Sequence, residues 1–180
     1  MKNDKLYVIL TQTYSGIAKI IKLFTHDTYS HASLSFDDRC HEMYSFGRKF
    51  LYFPFYGIFK KENLRKGLFR NKRSKIAIYE IDVTEEQYNN AKKKVLEIKN
   101  SNNGYNIMGL LLAEFKIKTH RNKYYCSEFV NVVLSSEGVN ILKRNNRLFT
   151  PEELVQNKKF KKIYEGTIKE FLKNNKKSLQ

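Results

Sequence analysis

The sequence predicts a single α+β domain, an antiparallel sheet packed on helices, over residues 1 to 180. Three observations predict it. Runs with strand and helix character both recur along the chain, and two of the strand runs sit close enough to form a hairpin. At 180 residues, with 41% hydrophobic and 14% aromatic side chains, the chain can fill one sizeable core. No repeat, low-complexity linker or composition break divides it.

In order, Leu6 to Thr11 (LYVILT) reads as a strand by its apolar and β-branched content. Ser15 is suited to cap a helix with Ile17, Ile20, Ile21 and Phe24 on one face. His31 to Phe36 (HASLSF) alternates as a strand, and Glu42 to Phe46 returns from a turn at Asp37-Asp38. That tight turn would pair Phe36 with Arg39, set Tyr44 opposite His31 and place Glu42 diagonally on the same face. A slip of two residues would bring Glu42 directly opposite. The aromatic stretch Phe50 to Phe59 (FLYFPFYGIF), broken by one Pro and one Gly, reads as a packed loop.

Lys75 to Val83 is a further strand, and Thr84-Glu85-Glu86-Gln87 opens a helix as a capping box, with Tyr88, Ala91, Val95 and Ile98 on its core face. Tyr105 to Phe115 and Cys126 to Leu134 carry helical patterns. Thr150-Pro151-Glu152-Glu153 has the signature of a helix start. Lys162 to Lys169 reads as a strand, and residues 174 to 180 as a frayed tail.

Two cysteines, Cys40 and Cys126, have no disulfide-like spacing, which fits a reducing compartment. No apolar run reaches the roughly 18 to 20 residues of a membrane span, and none resembles a secretion signal, so the expectation is a cytoplasmic protein. The formal net charge is +16. Residues 60 to 75 hold eight basic side chains against one acidic, and residues 140 to 180 hold eleven against four. Such runs are often no more than a solvated face. Their functional reading is an anionic surface or lipid headgroup met through Lys60, Lys61, Arg65 and Lys66. No specific nucleic-acid site is predicted.

Cys126 stands where an apolar-periodic run begins, in YYCSEFV. A thiol at a helix N-terminus faces unpaired N-H groups and the positive end of the dipole, and can ionise below its free pKa of about 8.5. A buried cysteine packing as a small hydrophobe is the competing reading. Of the four histidines, only His31 opens an alternating strand, with Ser33 and Ser35 on its face. Glu42 or Tyr44 would serve as the group that fixes its ring. The spacing of His26, His31, Cys40 and His41 lacks a paired zinc-ligand arrangement, so neither metal nor cofactor is expected.

The order TYSHASLSFD, EMYSFGRK, GYNIMGLL and YYCSEFV resembles the permuted branch of the papain-like cysteine peptidase and amidase superfamily, of the NlpC type. In that branch the histidine strand precedes the cysteine helix, the reverse of papain. The resemblance covers most of the chain, with anchors from Leu6 to Lys49 and from Gly104 to Leu134, and the segment from Phe50 to Asn103 only loosely. It implies a circularly permuted papain-like fold, with Cys126 as nucleophile, His31 as base and Glu42 as third residue, Tyr44 being the other choice. Tyr105 would assist the oxyanion hole. The implied activity is a thiol-dependent hydrolase acting on an amide, small-peptide or other acyl substrate. Lecithin:retinol acyltransferase-like proteins share the permuted order, so a lipid acyl hydrolase or acyltransferase is the alternative, with the aromatic stretch lining an acyl pocket. A catalytically silent basic binding module is a third reading.

Overall fold

A computed structural model describes residues 4 to 12, 28 to 50, 53 to 69, 71 to 100, 125 to 139 and 150 to 177. The architecture is α+β. Strands β1 (Asp4–Thr11), β2 (His31–Ser35), β3 (Met43–Phe50), β4 (Phe53–Glu62), β5 (Lys75–Val83) and β6 (Lys161–Thr167) form one sheet in the order β4-β3-β2-β1-β5-β6. Every neighbouring pair is antiparallel. Three helices are described: α1 (Glu85–Asn100), α2 (Tyr125–Ser136) and α3 (Ile168–Lys177). Among the described residues, no helix is long and apolar enough to cross a membrane.

β1 is central and covered on both sides, so its sequence reads as an almost unbroken apolar run. Leu6, Val8 and Leu10 face one cluster with Ala32 and Leu34 of β2, against which α1 and α2 pack. Ile9 faces the other, with Met43, Ile76 and Ile78, closed by Leu64, Phe69 and the α3 residues Ile168 and Phe171. The α2 residues Phe129, Val130, Val133 and Leu134 are essentially inaccessible. At about 1.5–3 kcal/mol for each buried side chain of this size, they anchor the helix firmly. Its first turn is thereby held at the end of β2. The helix stops after Ser136 because Gly138 takes a left-handed φ of 63° while Val139 N donates to Leu134 O.

The α1 capping box forms as the sequence indicates, Thr84 N donating to Gln87 Oε1 at 3.0 Å and Gln87 N to Thr84 Oγ1 at 3.1 Å. The box at Thr150 and Glu153 also closes, at 2.8 and 3.3 Å, but Glu152–Val155 makes only a single 3-10 turn. That turn nevertheless fixes the chain as it enters β2, because Glu152 Oε1 accepts Thr28 N at 2.7 Å and Tyr29 N at 3.1 Å.

Three expectations are corrected. Within the stretch expected as a packed loop, Phe50 ends β3 and Phe53 to Phe59 build most of β4. β4 lies at the sheet edge, where a proline such as Pro54 is tolerated. The C-terminal segment is helical through Lys177, because Ile168 and Phe171 bury one face of α3. Lastly, the β2–β3 connection is wider than a two-residue turn. Asp37 accepts the backbone N-H groups of Arg39, His41 and Glu42 at 3.0, 3.0 and 2.7 Å, Cys40 adopts a φ of 60°, and Phe36 N donates to Glu42 O. The register is Leu34 with Tyr44 and Ser35 with Met43. Relative to the expected pairing this is a shift of three. An odd shift moves every β3 side chain to the opposite face. The helices expected after Ser15 and at Tyr105 to Phe115 lie outside the described residues, as do His26 and His120.

Candidate active site

His31 opens β2 opposite Thr11 of β1. Its Nε2 lies 3.1 Å from Glu62 Oε1 and 3.2 Å from Oε2, and both side chains are more than nine-tenths buried. Glu62 is the last residue of β4. It pairs with Met43, which pairs with Ser35, so all three share the face of Ser33 and His31. Ser33 Oγ donates to Glu62 Oε2 at 2.6 Å. The Phe69 ring flanks the imidazole with centroids 6.1 Å apart.

Cys126 is the second residue of α2, and it is buried, as are Ser127 and Glu128 behind it. Its thiol lies within electrostatic reach of His31 and of the Ala32 backbone, both of which favour the thiolate. With Nε2 engaged by Glu62, Nδ1 is the ring nitrogen left for another partner.

Burial and charge work against each other in this group. Burial raises the Cys126 pKa, but the neighbouring imidazolium, the hydrogen bond from His31 and the Ala32 N-H outweigh it, and the thiol sits below its ordinary value. Burial lowers the His31 pKa, yet Glu62 and the Cys126 sulfur together push it up to about 10. The Glu62 carboxyl is held below its usual range: burial opposes ionisation, and His31 and Ser33 overcome it. Ser45 also favours its ionised form, although the Ser45 hydroxyl lies outside regular hydrogen-bond geometry. A buried carboxylate and imidazolium are tolerable here because each has a charged or hydrogen-bonded partner. In all three groups the balance of these effects shifts toward the charged form: thiolate, imidazolium and carboxylate.

Cys40 is the opposite case. Burial, with Asp37 and Asp38 nearby, pushes its thiol pKa far up and so favours the neutral thiol.

Of the residues singled out in the sequence, Cys126 and His31 come together. Glu42 does not join them: it pairs with Lys92 Nζ at 3.3 Å and accepts the Tyr44 hydroxyl at 3.1 Å. Tyr44 stacks on Phe59 at 5.5 Å on the opposite sheet face. The shift of three in register is the reason, and Glu62 holds the position expected for Glu42. A signal for Glu62 exists in the sequence, since it is the one carboxylate among eight basic residues between 60 and 75. Tyr105 lies outside the described residues. No protein-family model matches this chain, and no curated protein is significantly similar to it, so the reading of the site rests on its own geometry.

Two outcomes follow from this arrangement. Glu42→Gln should leave Cys126 reactivity within about twofold of wild type, as for an ordinary surface change. Ser33→Ala removes a hydrogen bond to a charged group, worth about 1.5–3 kcal/mol. It should raise the Glu62 pKa and slow Cys126 alkylation up to about tenfold at neutral pH, with the deficit growing on acidification. Thiol alkylation followed by mass spectrometry measures both, and a Ser33→Ala protein with an unchanged pH profile would count against the Ser33 assignment.

Proposed function

We propose that this chain is a thiol-dependent hydrolase, built as a permuted papain-like domain of the NlpC type, that cleaves an amide, small-peptide or related acyl bond. The observation that carries the reading is the buried grouping of Cys126, His31 and Glu62, with His31 Nε2 on the carboxylate and the imidazole electrostatically coupled to the sulfur. A nucleophile, a base and an orienting acid in that geometry are the requirements of covalent acyl transfer. The order of strand and helix along the chain also fits the permuted arrangement.

In the first step the Cys126 thiolate adds to the acyl carbon, and the carbonyl π electrons move onto oxygen. The positive end of α2 and the Cys126 N-H are the groups that would stabilise that oxyanion. His31 passes its Nδ1 proton to the leaving amine as the C–N bond breaks, which leaves an acyl-enzyme and a neutral imidazole. Water then adds to the thioester while His31 takes its proton, and the thiolate departs as the acid is released. Glu62 supports the imidazolium at both ends of the cycle and keeps Nε2 protonated. Lipid acyl transfer would use the same steps with another acceptor; of the aromatic residues offered for it, Phe50 ends β3 and Phe53, Phe55, Tyr56 and Phe59 lie in β4.

Activity-based probes with amide, ester and thioester electrophiles test the reading on wild type and Cys126→Ala. Labelling of wild type at Cys126 by at least one class, lost in the variant, is the expected result. A wild-type protein inert to all three would remove the hydrolase reading.

A further inference from the structure

The segment between β4 and β5 is built against the candidate catalytic histidine from both ends. Glu62 bonds to His31 where the segment begins, and Phe69 lies against the imidazole further along. Leu64, Phe69 and Ser74 are buried anchors. The path between them is pinned: Asn63 Oδ1 accepts Arg65 N at 2.8 Å, Asn71 Oδ1 accepts Arg73 N at 3.1 Å, and Lys72 Nζ donates to Leu64 O at 2.5 Å and Phe69 O at 3.0 Å. Gly67, with φ 61°, makes the reversal.

Lys72 is thus occupied inside the loop, and its pKa falls through burial and the proximity of Arg65. Arg65, Lys66 and Arg73 are exposed. Among the described residues none of the three has an acidic partner, whereas Lys5, Lys92 and Lys162 each pair with a carboxylate. The sole acid nearby in sequence, Glu62, is buried on His31. Three uncompensated cations, two of them guanidinium forks, therefore stand on a preset loop whose inner side touches the reacting group.

We propose that the loop from Asn63 to Arg73 is the substrate-docking surface of the site and that it takes acyl substrates bearing a phosphoryl group. A phosphoryl group brings more than one negative charge and three acceptor oxygens, enough to engage more than one fork at once. Bound there, it sets the acyl carbon on the His31 side of Cys126. The inference rests on the proposed hydrolase site for its catalytic meaning, while the anion site is measurable alone.

The test compares two alkylating agents at Cys126, anionic iodoacetate and neutral iodoacetamide, in wild type and in the triple variant Arg65→Gln, Lys66→Gln, Arg73→Gln. The Asn63 and Asn71 side chains bond only the backbone N-H groups of Arg65 and Arg73, which the substitutions keep, so the loop retains its shape. At low ionic strength the iodoacetate to iodoacetamide rate ratio should fall about three- to eightfold in the variant, and this difference should vanish near 0.5 M salt, by about which point the Debye length has contracted to a few ångströms. Pyrophosphate should protect wild-type Cys126, and not the variant, from iodoacetamide. An unchanged ratio together with unchanged protection overturns the proposal. Anionic vesicles bound through the three cations, without pyrophosphate protection, would replace the phosphoryl substrate by a membrane surface and likewise overturn it. If iodoacetamide fails to label Cys126 in any of the proteins, the hydrolase reading falls. Calorimetric titration of pyrophosphate into wild type and variant then decides the loop by itself, loss of binding in the variant supporting the anion site and equal binding refuting it.

Discussion

Glu62→Gln is expected to reduce turnover by roughly 10²- to 10⁴-fold, the range of losses when general acid–base function is disabled or its orienting carboxylate is neutralised. The cause is electrostatic before it is steric, since glutamine fills the same space. Glu62 helps to raise the His31 pKa, so removing its charge lets the imidazole lose its proton at lower pH. His31 is in turn the main group that lowers the Cys126 pKa, and its influence exceeds the weak direct repulsion from Glu62. The thiol pKa therefore rises. In wild type the active form exists between the depressed Cys126 pKa and the His31 value of about 10, giving a bell-shaped profile whose limbs belong to the coupled pair. In Glu62→Gln both limbs should move inward. A pH series of single-turnover rates, with circular dichroism to verify the fold, measures this, and a variant with unshifted limbs would mean that Glu62 does not act through His31.

His31→Ala should have an effect of at least the same size, a loss of about 10³-fold or more, because it removes both the base and the cation that stabilises the thiolate. It separates two contributions to the thiol pKa. Without His31, burial drives the pKa up, and only the helix terminus and the Ala32 N-H oppose it. Alkylation of Cys126 at neutral pH should then fall toward that of an ordinary buried thiol. Near-wild-type labelling of His31→Ala would assign the reactivity to the helix terminus alone. Stability needs a control in this variant, since Glu62 is left buried without its charged partner, at about 3–5 kcal/mol. His31→Gln, which retains a donor toward Glu62, provides it.

How much of the site was legible follows from the range of the interactions concerned. The Cys126 helix and the His31 strand announce themselves through local periodicity, and α1 through its capping box. Register is not local. It depended on whether Asp37 would close a tight turn or gather three backbone N-H groups into a wider loop, and that choice moved Glu42 and Tyr44 to the face away from His31. Glu62 lies 31 residues from His31 in sequence, on an edge strand that the aromatic composition and Pro54 made look like a loop. The shortness of the turn after Pro151 has a similar origin: a cap signal marks where a helix can begin, and only packing decides whether it continues.

The central claim is that Cys126 is a thiolate held by His31 and Glu62 at neutral pH. The pH dependence of iodoacetamide alkylation at Cys126, read by peptide mass spectrometry with Cys40 as internal reference, tests it most directly. The account predicts a Cys126 rate already on its plateau well below pH 8.5, with Cys40 unlabelled in the folded protein, and a Glu62→Gln profile displaced toward higher pH. A Cys126 rate that rises only above pH 8.5, in step with an unperturbed thiol, or equal labelling of the two cysteines, would contradict it.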